Sequence, residues 1–115
     1  MSVRRDSDYL FDIQEAIRRV AEYAGEFSYE QFRKDTRTQD AVIRNLEIIG
    51  EATKGLSASF RKQHTDIPWK QMAAMRDRFI HHYFGINLDI VWGVATEELP
   101  AVAEQIETLR KDCLF

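Results

Sequence analysis

The sequence predicts an all-α fold, an up-and-down four-helix bundle with short extra helices, and three observations carry that expectation. Apolar residues recur at the three- and four-residue spacing of a helix over long stretches. Only 5 glycines and 2 prolines occur in 115 residues, which leaves little punctuation for a many-stranded sheet. Capping patterns stand at the ends of the apolar runs. With 44% hydrophobic and 30% charged residues the balance is that of a globular protein. No repeat, low-complexity tract or linker interrupts it, so residues 1–115 are expected to form one domain.

The first helix is predicted from Asp6 to Ala24, because Tyr9, Leu10, Ile13, Ala16, Ile17, Val20 and Ala24 share a face, with Gly25 as a natural stop. Ser28-Tyr29-Glu30-Gln31 has the capping-box pattern and starts a short second helix through Phe32. Thr36 or Thr38 is expected to cap the third helix, which runs to about Leu56. Val42, Leu46, Ile49, Thr53 and Leu56 form its stripe, widened by Ala41, Ile48 and Ala52. So broad a face implies either a central position in the bundle or contact with a second chain. Ser57 to His64 reads as a short helical connector anchored by Phe60. Pro68 suits the first turn of a fourth helix, which should end near Phe84, with Gly85 where a left-handed cap is tolerated. A last helical segment begins around Leu88, and Pro100 should kink or break it before Ala101 to Lys111.

Several function classes drop out. The formal charge of −3 lacks the basic excess of a protein that grips nucleic acid through a global field, so any such role needs a local site. Cys113 is the one cysteine and cannot form an internal bridge. The start resembles no signal peptide, and no apolar run is long enough for a membrane span, so a cytoplasmic location is expected. There is no H-E-x-x-H, paired E-x-x-H, cysteine cluster, phosphate loop or nucleophile elbow, so neither a metal nor a cofactor is expected.

The informative segment runs from Trp69 to Tyr83. On a continuous helix Trp69, Met72, Ala73, Phe79, Ile80 and Tyr83 share one face, and Arg76 sits in its middle. A guanidinium there either has a buried carboxylate partner, with Glu47 or Glu51 as candidates, or lines a cleft that binds an anion. His81 lies five residues on, about 140° around such a helix, so the two would meet only in a wide groove or with a second subunit. Asp77 and His81, four apart, could touch. The carboxylate would then fix one imidazole tautomer and leave the other nitrogen free for proton transfer, or the two would be a plain surface pair. Tyr83 reads as core unless its hydroxyl reaches the cleft, and His64 and His82 as surface or junction residues.

At this segment, Arg76-Asp77-Arg78-Phe79-Ile80-His81-His82-Tyr83 resembles the R-x4-H-x-Y signature of the HepT-like proteins, the minimal members of the HEPN group (higher eukaryote and prokaryote nucleotide-binding domains). The resemblance extends over nearly the whole chain. Thr38 to Ala52 resembles the family's central helix, and Ile67-Pro68-Trp69 and Tyr83 to Trp92 resemble its flanks. What it implies is an all-α homodimer paired with a nucleotidyltransferase of the MntA type as toxin and antitoxin, the toxin being a metal-independent ribonuclease acting on RNA. Arg76 carries over as the arginine that binds or polarises the scissile phosphate, His81 as the general acid or base, and Asp77 as the polar residue after the arginine. Tyr83 matches the tyrosine to which the partner attaches AMP. His82 departs from the glycine often found there. A reading from another class is a non-catalytic module whose Arg76 and Tyr83 serve only the nucleotidyltransferase partner. A third is a structural bundle with a buried Arg76–glutamate pair, in which Arg76→Met is neutral or stabilising.

Overall fold

The computed structural model describes residues 4–81 and 85–113, and the all-α expectation holds. The long helices are α1 (Asp6–Ala24) and α3 (Thr36–Gly55), with the short α2 (Tyr29–Lys34) between them. After them come α4 (Ala58–Gln63), α5 (Trp69–Ala73) and α6 (Met75–Phe79). A two-residue antiparallel ladder, β1 (Ile80–His81) with β2 (Gly85–Ile86), follows. The chain closes with α7 (Leu88–Gly93), a π-helical turn over Val94–Glu98, and α8 (Leu99–Cys113).

Helix α1 buries Leu10, Ile13, Ala16, Ile17, Val20 and Ala24 along one stripe, as the periodicity predicts. Each large aliphatic side chain taken from water on that stripe contributes roughly 1.5–3 kcal/mol before the entropic cost of folding. The stripe packs along α3, and the Asp6 carboxylate accepts hydrogen bonds from the Ser57 backbone N–H and hydroxyl, both at 2.8 Å. The start of α1 is thereby pinned to the start of α4. Helix α3 has α1 on one side and α5 and α6 on another, which accounts for its broad apolar face within a single chain. The buried apolar residues of all the major helices join in one cluster.

Local chemistry sets the boundaries. Ser28 and Gln31 form the expected capping box, with Ser28 Oγ accepting from the Gln31 N–H at 3.2 Å and Gln31 Oε1 from the Ser28 N–H at 2.9 Å. Neither Thr36 nor Thr38 caps α3. Asp35 does, its carboxylate accepting from the Thr38 N–H at 3.0 Å, and a carboxylate at that end also suits the helix dipole. Ser57 caps α4 and Phe60 anchors it in the core.

Two expectations about the C-terminal half are corrected. The fourth helix does not run unbroken to Phe84. It breaks at Ala74 (φ −90°, ψ 11°) and ends at Phe79, where Ile80 turns to an extended conformation (φ −95°, ψ 125°). Of the kink or break expected at Pro100, a break in the chain's helical course does not occur. The π-helical turn just before it, marked by the Leu99 N–H bonding the Val94 carbonyl, widens the coil ahead of the ring, and the helix continues to Cys113. Among the described residues no helix is long and apolar enough to cross a membrane.

Candidate functional site

The break at Ala74 decides where the motif residues point. Gly50 on α3 lies under it. A Cβ there would stand 3.4 Å from the Met72 carbonyl oxygen, 3.5 Å from that of Ala73 and 3.6 Å from Met75 Cβ. The missing side chain lets the α5–α6 junction settle directly on α3. The junction rotates α6 so that Met75 and Phe79 turn into the core, at 2% and 0% exposure. Arg76 and Asp77 therefore face solvent. The expected position of Arg76 in the middle of an apolar face is overturned by this change of phase.

Arg76 has no hydrogen-bond or ion-pair partner among the described residues. The proposed carboxylates are engaged elsewhere or free of it: Glu51 stands 3.7 Å from Lys54, and Glu47 pairs with no arginine among those residues. The reading of a buried Arg76–glutamate pair is thus contradicted.

Within the motif segment the arginine that pairs is Arg78. Its Nη1 and Nη2 donate to the two Glu98 carboxylate oxygens at 2.7 and 2.8 Å. The hydrogen-bonded carboxylate raises the guanidinium's pKa, so Arg78 is held charged even more firmly than usual. Glu98 ends the π-helical turn, so this pair ties α6 to the α7–α8 limb. Nothing in the local sequence signals a contact across twenty residues, because it depends on the phase of the π-helical turn.

Beyond Phe79 the chain forms a hairpin, with Ile80 opposite Ile86 and His81 opposite Gly85. The Asn87 N–H donates to the Phe79 carbonyl at 2.7 Å and closes the hairpin, while Asn87 Oδ1 accepts from the Ile90 N–H at 3.2 Å and caps α7. Gly85 has φ +79°, the left-handed conformation expected of it, although it serves a hairpin and not a helix cap. Helix α7 is in turn braced by Trp92, whose ring lies 5.1 Å from that of Phe32 and 5.8 Å from that of Tyr29. Tyr29 also hydrogen-bonds Asp89 at the start of α7.

Of the four predicted site residues, Arg76 and Asp77 thus share the exposed side of α6. His81 is paired through its backbone with Gly85, two residues beyond the helix end. Tyr83 and His82 lie outside the described residues. The helical relations expected between Arg76 or Asp77 and His81 do not apply, since residue 81 is on a strand. Fold and site together define a small all-α protein with an exposed arginine, unpaired among the described residues, on the helix that precedes a histidine-bearing strand.

Residues 13–109 match the family model of HepT-like ribonucleases. A relative named a probable ribonuclease HepT, from Thermococcus cleftensis, is 46% identical over 108 residues, covering 94% of this chain and 98% of the relative. Proteins named provisionally as RNases in Methanocaldococcus jannaschii and Caldanaerobacter subterraneus are each 42% identical. The first covers 90% of this chain and 86% of the relative, the second 90% and 94%. No solved structure matches. The chain belongs to the HepT-like ribonuclease family.

Proposed function

We propose that this protein is the toxin of a type VII (HEPN/nucleotidyltransferase) toxin–antitoxin pair, a metal-independent endoribonuclease that works as a homodimer. The observation that carries the reading is the exposure of Arg76 without a carboxylate partner among the described residues. A cation left unneutralised at the protein surface is available to a phosphate, whereas one sealed in an ion pair is not. Family membership supplies the polymer: the relatives' names specify RNA cleavage.

RNA carries its own nucleophile, so the protein need supply only proton transfer and charge. In the proposed reaction His81 takes the proton from the 2′-hydroxyl, whose oxygen attacks the adjacent phosphorus. Arg76 stabilises the negative charge gathering on the phosphoryl oxygens. The bond to the 5′-oxygen breaks, and that oxygen receives a proton from an acid, for which the His81 of a second subunit is the candidate. The products are a 2′,3′-cyclic phosphate and a 5′-hydroxyl end. Asp77, on the exposed side of α6, is proposed to orient the imidazole. Tyr83 is proposed as the residue to which the nucleotidyltransferase attaches AMP, a bulky anion that competes with the scissile phosphate for Arg76.

The test is to express the chain alone and with its nucleotidyltransferase partner. Growth arrest with RNA cleavage is expected from the chain alone, and relief together with an AMP mass increment on Tyr83 when the partner is present. Tyr83→Phe should escape that relief. A chain that sediments as a monomer while cleaving RNA at full rate would remove the dimer from the proposal.

A further inference from the structure

Beside the α5–α6 junction runs a groove of about 550 Å³, walled by the end of α3, by α4 and by α5. Lys54, Arg61, Lys62 and Lys70 line it, with Asp77 as its one carboxylate. This local excess of positive charge stands out in a chain whose net charge is −3. Arg61, Lys62 and Lys70 have no ion-pair partner among the described residues, and Lys54 has only the exposed Glu51 at 3.7 Å. Arg61 is half-buried, and its Nε is sealed from solvent without a hydrogen-bond partner among the described residues.

We infer that this groove is a binding track for the phosphodiester backbone of single-stranded RNA, leading to Asp77 and so to the α6 site. The inference deepens the ribonuclease reading and rests on it for the identity of the polymer. The groove's floor argues that it follows charge and not sequence. Trp69, its aromatic residue, is 6% exposed, and its Nε1 donates to the His64 carbonyl at 2.8 Å. A buried indole offers bases no open face for stacking, which is the usual means by which single strands are gripped through their bases. The uncharged residues that complete the lining are Ala58, Thr65, Ala73 and Ala74, and of these only Thr65 carries a side-chain group that can hydrogen-bond a base edge. The charged groups of the groove are four cations against one carboxylate.

The experiment measures binding of a short fluorescent single-stranded oligouridylate to the full chain carrying His81→Ala, so that the probe is not cut. Lys62→Gln with Lys70→Gln changes two exposed side chains, and adding Arg61→Gln tests the half-buried one. The double variant should weaken binding about tenfold and make the slope of log affinity against log salt shallower by about 1.4, the triple variant by about 2. Lys34→Gln with Arg37→Gln, an equal charge change on α2 and α3, should leave both quantities unchanged. Should the triple variant lose helicity, the double variant still decides, because it replaces only solvated side chains. Affinity and salt slope equal to the parent's in the double variant, or no binding by the parent at all, would overturn the inference. The ribonuclease reading is scored separately, on the chain with His81 intact. Cleavage with an indifferent groove sinks the track alone, and groove-dependent binding without cleavage sinks the enzyme alone. Loss of binding by the control pair as well would show general attraction, and that too refutes a dedicated track.

Discussion

Arg78 and Glu98 meet as a two-pronged ion pair, at 2.7 and 2.8 Å, between the last turn of α6 and the end of the π-helical turn. The two side chains keep 31% and 44% of their exposure, so solvent screens the attraction and its share of global stability is small. Its weight is geometric, because α6 is only five residues long and carries both Arg76 and Asp77. Breaking the pair with Arg78→Ala or Glu98→Gln should cost less than about 1 kcal/mol in denaturant unfolding. It should lower the rate of RNA cleavage severalfold. The exchanged pair Arg78→Glu with Glu98→Arg should recover part of that rate, and a double-mutant cycle on both readouts would check it.

Arg76→Ala should leave the melting temperature almost unchanged, within about 0.5 kcal/mol of unfolding free energy, because the side chain is exposed and unpaired among the described residues. Cleavage of RNA should fall sharply. Arg76→Met should not stabilise the protein, as it would if a buried ion pair were being replaced. A calorimetric melt beside a cleavage assay separates the two.

Gly85→Ala should destabilise by about 1–2 kcal/mol, the cost of the left-handed conformation for a residue with a Cβ. The penalty is conformational and not steric, since nothing lies within 4 Å of the position a Cβ would take. Asn visits that region more readily, so Gly85→Asn should be milder. As Gly85 is the strand partner of His81, activity should fall with stability in the alanine variant and largely return in the asparagine variant.

Gly50→Val should push the α5–α6 junction off α3, at an overpacking cost of about 1–3 kcal/mol. Gly50→Ala meets only ordinary contacts at 3.4 to 3.6 Å, so it should be tolerated. The valine variant should lose activity beyond its loss of stability, and cleavage measured well below its melting temperature would show this.

The helices were legible where a long apolar stripe repeats. Leu10 to Ala24 and Val42 to Leu56 fall where periodicity puts them, and the Ser28–Gln31 box and the Phe60 anchor follow from short-range chemistry. The errors share a cause. The Trp69–Phe84 segment looks like one helix because its apolar residues keep helical spacing, but the close approach of Met72, Ala73 and Met75 to Gly50 breaks it at Ala74 and shifts the phase that follows. That shift puts Arg76 in solvent and His81 on a hairpin. The contact of Arg78 with Glu98 is illegible in the sequence for the same reason, since only tertiary packing fixes the π-helical turn that brings them together. Asp35 as the α3 cap could have been read, being a residue type as good at that position as either threonine.

The most direct test of the account is the cleavage of single-stranded RNA by the purified chain, compared with its Arg76→Ala and His81→Ala variants at equal concentration. The account predicts cleavage by the parent without added metal. It predicts a loss of roughly 10²–10⁴-fold for His81→Ala, the range for a group that transfers a proton. Arg76→Ala should lose activity with its helical signal and melting temperature intact. Variants that cut RNA at the parent's rate would contradict it, because the exposed arginine and the hairpin histidine would then have no part in the chemistry.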